Sequence, residues 1–355
     1  MAGWSYQWVA QVGVARESWP APLDARRVHP RENPNAVAVE QIARLIRRLP
    51  GGGAVPLFVF DAGYDSAQVQ QGVGDRRAAL LVRLRAGRCC YGDPPSEPPG
   101  PKGGRPWRHG HKLACDDPAT WPAPTVEQAA EDAQYGAVRV RAWAGVHPKI
   151  QAHERRGSRG PTPIVRGTLI RVEVARLPRP TREPQVLWLW WHGPDDHPLD
   201  LDLAWRTYLR RFDLEHTFRF LKQTLGWHTL RTRSPEQADR WTWLVLVAST
   251  QLRLARSLVA DRRLPWERPY PTGRLTPCRV RRVVPALLLT LGTPARATTL
   301  WAFAGATQRP PLRPRAAAPG HQEGRLATAP ACPAHPALIL TIRAALDVVE
   351  SQAQG

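Results

Sequence analysis

A chain of 355 residues, 43% of them hydrophobic, can bury at least one sizeable core and divide into two or three structural units, which excludes a wholly disordered polypeptide. Fifty Lys and Arg against 30 Asp and Glu leave a formal charge of +20, carried almost entirely by arginine; this points to a polyanionic partner, although an Arg-, Ala-, Pro- and Gly-rich composition raises the same count without one. Five cysteines with no CxxC pair, and no run near the roughly 18 apolar residues of a membrane helix, argue against a disulfide scaffold, a spaced zinc site and a membrane span, and for a reduced, cytoplasmic setting.

Residues 4–14 and 17–28 alternate aromatic or aliphatic with small or polar side chains and read as two paired strands, so the chain opens inside a sheet. Asn35 is placed to cap a helix of about 14 residues on which Val39, Ile42, Ile46 and Leu49 keep helical spacing, and Pro50 with Gly51, Gly52 and Gly53 ends it. The run at 55–65, VPLFVFDAGYD, is apolar without alternation, as a strand covered on both faces would be. It ends in Asp61, for which two roles stay open: a ligand-holding acid at the C-terminal end of a central strand, or the first residue of a turn before Gly63. Asp65 has a turn role or supports Asp61 from behind. A helix over 67–77 and a strand over 78–84 follow.

From 86 to 200 Pro and Gly rise, and short β-like runs at 137–143, 167–177 and 185–192 describe an inserted β-rich subdomain. Its loop at 102–112 carries Lys102, Arg105, Arg108, Lys112 and Trp107, a segment suited to tracking phosphates or simply a basic loop. Trp188, Trp190 and Trp191 fit a core, with base stacking as the alternative. A single helix is expected over 202–225, closed by Gly226, and a second from the Ser234 N-cap to about residue 259. The composition of 266–355 predicts a weakly ordered Pro/Ala/Arg-rich tail with one short helix at 336–351. The expected division is therefore 1–85 and 201–265 as the two parts of one α/β core, 86–200 as the insertion, and 266–355 as the tail.

Within the first of these helices, residues 208–222, YLRRFDLEHTFRFLK, set Tyr208, Arg211, Glu215 and Lys222 on one line at 100° per residue, with apolar side chains on the other sides. Such a stripe is costly to bury unless chemistry uses it, and an Arg211–Glu215 ion pair one turn apart is its plain structural reading.

The succession of strands, strand-end Asp, β-rich insertion and Glu-bearing helix resembles an RNase H-like nuclease layout, a mixed α/β sheet incomplete at its N-terminal strand. The spacing Tyr208-x2-Arg211-x3-Glu215-x6-Lys222 is similar to the Y-R-E-K signature of the DDE transposases of bacterial insertion sequences, and Asp61 in VFDAGYD resembles their second catalytic Asp; the likeness spans about residues 4–260 in element order. It implies transposon-end cleavage and strand transfer at a two-metal Mg²⁺ or Mn²⁺ site, with Asp61 and Glu215 as catalytic metal ligands. It further implies Tyr208, Arg211 and Lys222 on the phosphates of double-stranded transposon ends, and a homodimer in a synaptic complex. Members of that family carry another catalytic Asp on a strand ahead of the two that open this chain. Asp24 is the only Asp before Asp61, on what corresponds to the third strand, and is the one candidate to stand in. The expectation is an N-terminally truncated, catalytically impaired transposase, with a non-catalytic DNA-binding remnant or an RNase H-like nuclease outside transposition as alternatives.

Overall fold

The computed structural model describes residues 4–13, 18–49, 54–95, 107–150, 163–178, 186–271, 274–291 and 339–345. Two antiparallel strands, β1 (Ser5–Val12) and β2 (Ala21–Val28), lead into helix α1 (Pro34–Ile46). Asn33 rather than Asn35 caps it: the Asn33 side chain accepts from the Asn35 N–H at 2.9 Å, and Pro34 takes the first helical position, where a missing N–H costs nothing. Strand β3 (Leu57–Phe60), helix α2 (Ser66–Val73) and strand β4 (Ala79–Leu84) follow as a βαβ unit whose strands are parallel.

The β-rich stretch supplies β5 (Cys89–Tyr91), β6 (Lys112–Ala114), β7 (Val126–Asp132), β8 (Gly136–Pro148), β9 (Gly167–Val174) and β10 (Leu187–His192). Helices α3 (Leu201–Arg210), α4 (Asp213–Gln223), α5 (Pro235–Ala255) and α6 (Pro277–Leu291) come next, and β11 (Ile339–Ala345) closes the described chain. The strands form one mixed sheet in the order β2-β1-β11-β3-β4-β10-β9-β8-β5-β6, with β7 also paired to β8. The β-rich strands thus continue the sheet outward from β4 through the antiparallel β4–β10 pair.

Side-chain alternation along the strands divides the core in two layers. Val9, Phe58, Phe60, Leu80, Val82, Trp188 and Trp190 face α1 and α2, whereas Tyr6, Trp8, Leu57, Val59, Leu81 and Leu189 face α3 to α6. Trp188 and Trp190 are buried, the Trp190 indole N–H donating to Gln70 Oε1 at 3.0 Å, so these rings are core and offer no stacking platform. Helices on both faces of a mixed sheet make the expected α/β, RNase H-like arrangement.

Two expectations are corrected. The helix over 202–225 is two helices, because the junction closes by i→i+3 bonds: Arg211 N to Tyr208 O and Phe212 N to Leu209 O, both 3.1 Å, then Leu214 N to Arg211 O and Glu215 N to Phe212 O. That 3₁₀ tightening interrupts the 100° phase, turning Arg211 inward and leaving Phe212 half exposed. The helix expected at 336–351 is a strand where it is described: Ile339, Thr341 and Ile342 are β-branched, and β11 pairs antiparallel with β1 and parallel with β3. Of 266–355, where composition predicts weak order, the described residues 266–271, 274–291 and 339–345 include α6 and β11, and α6 buries Val280 and Val283 in the α5 layer.

Candidate functional site

The site grows from the C-terminal end of β3. Leu57 and Val59 point to the α3 side, so the next residue in step, Asp61, emerges on that side as the strand runs out. Asp61 forms a turn: its Oδ1 accepts from Gly63 N at 3.0 Å, and Tyr64 N donates to its carbonyl. The side chain also faces the α3–α4 junction, where Arg211 Nη1 stands 3.9 Å from its Oδ2. Asp61 thus takes the turn role, and its other carboxylate oxygen faces Arg211. The Tyr64 phenol beneath it is pushed well above its ordinary pKa, first by burial and then by the negative charge of Asp61.

Arg211 is almost fully buried and lies between two rings, Tyr208 at 5.4 Å and Phe212 at 5.2 Å from its guanidinium carbon. Its Nε has no hydrogen-bond partner among the described residues. Tyr208 is 1% exposed and packs with Leu57, Val59 and Leu81 beneath α3, its hydroxyl likewise unpartnered. Glu215 is half-buried in the first turn of α4, one turn beyond Arg211, where the helix N-terminus favours a carboxylate. Lys222, two turns further, is half-buried with its ammonium 5.9 Å from the Trp227 ring.

The stripe is thus divided by depth. Tyr208 and Arg211 lie inside, Arg211 at the carboxylate of Asp61, and Glu215 and Lys222 lie at the rim. Asp24 is not brought to the site: it is on the outer strand β2, three strand positions from β3, and its Oδ2 accepts from Gln41 Nε2 of α1 on the other face of the sheet. Asp65 caps α2, accepting from Gln68 N at 2.9 Å and pairing with Arg88 at 2.5 Å, which is the turn role. In the basic loop, Lys102 and Arg105 lie outside the described residues.

The element the sequence reading missed is β11. The parallel register sets Thr341 beside Val59 and Ile342 beside Phe60, so β11 flanks β3 up to the residue before Asp61; on its other side it pairs with β1. The β-branched Ile339, Thr341 and Ile342 are a strand signal, obscured by the Ala-rich residues around them. Among the described residues no group of three or more His, Cys, Asp or Glu is placed to hold a metal ion. Cys90 and Cys115 are buried, and burial pushes the Cys115 thiol up to about 12.

A second polar cluster sits where β5 meets β8. His147, fully buried, shares a 2.9 Å hydrogen bond through Nε2 with His109 Nδ1, while its own Nδ1 has no partner among the described residues. Burial foremost holds both imidazoles below their ordinary pKa; Lys149 and Arg108 add to it at His109, and His109, Arg166 and Arg108 at His147, against Asp93. Because the folded values are depressed, the unfolded chain takes up protons first. Stability is present above about pH 6.5 and falls as pH drops below it, by at most about 1.4 kcal/mol per pH unit for each proton. Urea midpoints at pH 7.5 and 5.5 should show this loss, and His147→Gln should flatten it.

Residues 1–149, which contain β1 to β8 and Asp61, match the family model described as DDE superfamily endonuclease. No curated protein matches the chain.

Proposed function

We infer, from the similarity of residues 1–149 to the DDE superfamily of endonucleases, a transposase-type family whose substrate is DNA, that this chain binds transposon-end DNA and cuts it poorly. The observation that carries the second half is the setting of Asp61. Such endonucleases generally use divalent cations, which activate the attacking oxygen and stabilise the leaving one. A two-metal centre needs several carboxylates sharing the ions, yet the charged group that Asp61 faces among the described residues is the Arg211 guanidinium. This donor set does not fit a two-metal centre. Glu215, one turn from Arg211, is the second acid of this reading, and among the described residues no third His, Cys, Asp or Glu joins the two as a metal-holding group.

DNA binding rests on different features. A +20 chain attracts the phosphate backbone by counterion release, and Lys222 at the rim, with the adjoining exposed Arg219 of α4, is positioned to meet it. Arg211 acts from within, holding the Asp61 carboxylate, and Tyr208 supports Arg211 with its ring.

The test uses the full chain on supercoiled plasmid and on labelled duplex ends with Mg²⁺ or Mn²⁺. Duplex binding should weaken steeply with salt, by about a thousandfold or more between 50 and 200 mM if six or more phosphates are contacted. Nicking should stay at background, and Glu215→Gln should change neither readout. Strong metal-dependent nicking that Glu215→Gln abolishes would show that the site is complete and the inference wrong.

A further inference from the structure

Helix α5 has two apolar faces. Ala238, Thr242, Val245, Leu246, Ser249, Leu252 and Ala255 are buried against the sheet layer, which accounts for one of them. On the opposite side Leu244, Val247 and Leu254, with Leu258 in the turn that follows, are 50–70% exposed, and Trp243 flanks them. With Gln251, these residues step by three, four, three and four, the repeat by which one helix seats its side chains between those of another. A globular helix normally keeps its second face polar, so this one is built to be covered.

We propose that this stripe is a homodimer contact, in which α5 of one copy packs antiparallel on α5 of a second copy about a two-fold axis at Gln251. The stripe is nearly symmetric about that residue. Leu244 lies seven residues before it and Leu258 seven after, so an antiparallel pair sets each Leu244 against the other copy's Leu258 and Val247 against Leu254. Gln251 meets its own equivalent, and an amide, carrying both donor and acceptor, is complementary to itself.

Charge points the same way. Two copies of a +20 chain repel, and this contact adds no local like-charge clash, because none of the exposed residues from Leu244 to Leu258 is charged. The arginines of this stretch turn away: Arg253 donates to the Trp19 carbonyl, and Arg256 lies over the Trp19 ring at 5.7 Å. The five side chains offer apolar area on the order of 500 Å² per copy, and with the polar rim of Thr250, Gln251 and Ser257 this approaches the roughly 800 Å² per partner of a stable interface. The contact does not depend on the DNA reading, and its failure leaves that reading untouched.

Sedimentation velocity of the full chain at 20–50 µM should give a dimer, and Leu244→Glu with Leu254→Glu should give a monomer with unchanged circular dichroism and melting temperature. In a Cys278→Ser background, Gln251→Cys should oxidise to a disulfide-linked dimer, whereas Glu236→Cys, near the start of the helix, should not. A monomeric unsubstituted chain overturns the proposal, as does a dimer that survives the double substitution or cross-links equally at both positions. A monomer that the double substitution destabilises would mean that the chain's own residues cover the stripe, and this too overturns it.

Discussion

A chain ending at residue 335, or one carrying Leu340→Asp, is expected to lose most of its cooperative unfolding transition. Strand β11 joins two halves of the sheet, seven of its residues in register with β1 and four with β3. Without it the β1–β2 hairpin keeps its helix contacts but no ladder to the rest, and two central edges with unpaired N–H and C=O groups are opened to water or to another chain. Leu340 is fully buried in the layer with Val9, Phe58, Phe60 and Leu80, so a carboxylate there is desolvated without a partner and should cost about 4 kcal/mol or more. Leu340→Val, which removes one methylene, should cost only about 1 kcal/mol. Urea unfolding followed by tryptophan fluorescence separates these, since Trp8 lies on the neighbouring strand. A shortened chain with an unshifted midpoint would show that β11 contributes nothing to the sheet.

The central strands were legible in the sequence because their cause is local. LFVF at 57–60 is apolar without alternation since both its faces are covered, and the Asp and Gly that follow announce the turn. The same holds for α5, whose Ser234 cap and Pro235 are read directly from the chain. What could not be read is what depends on distant partners. Strand β11 takes its conformation from β1 and β3, more than 270 residues earlier, and nothing near it in sequence records that pairing. The break between α3 and α4 is of the same kind. By periodicity alone residues 202–225 are one helix, and it is the burial of Arg211 toward Asp61 that accompanies the tighter turn. The candidate acids Asp61 and Glu215 were visible by residue type and spacing, whereas the guanidinium beside Asp61 was assigned to DNA because a linear stripe carries no depth.

That guanidinium supplies the second large effect. Asp61→Ala should destabilise the fold by about 2–3 kcal/mol, below the roughly 3–5 kcal/mol of breaking a fully buried pair because the Asp61 side chain is a quarter exposed. Among the described residues Arg211 would keep its Tyr208 and Phe212 ring contacts, with Nε already unpartnered there. Arg211→Met should cost less, since Asp61 retains the Gly63 N–H and access to water. The double variant should then be more stable than the sum of the two losses predicts, by about 1–2 kcal/mol, as residues in direct contact are coupled. Urea midpoints of the four proteins measure this, and strict additivity would mean that the 3.9 Å approach carries no energy. The same set reports on chemistry. If Arg211 holds Asp61 against cation binding, Arg211→Met should tighten Mn²⁺ binding measured by electron paramagnetic resonance, and adding Asp61→Ala should reverse the gain. A guanidinium that only braced the helix junction would alter the midpoint and leave the Mn²⁺ titration unchanged, so the two readouts separate a structural arginine from one that occupies the cation's place.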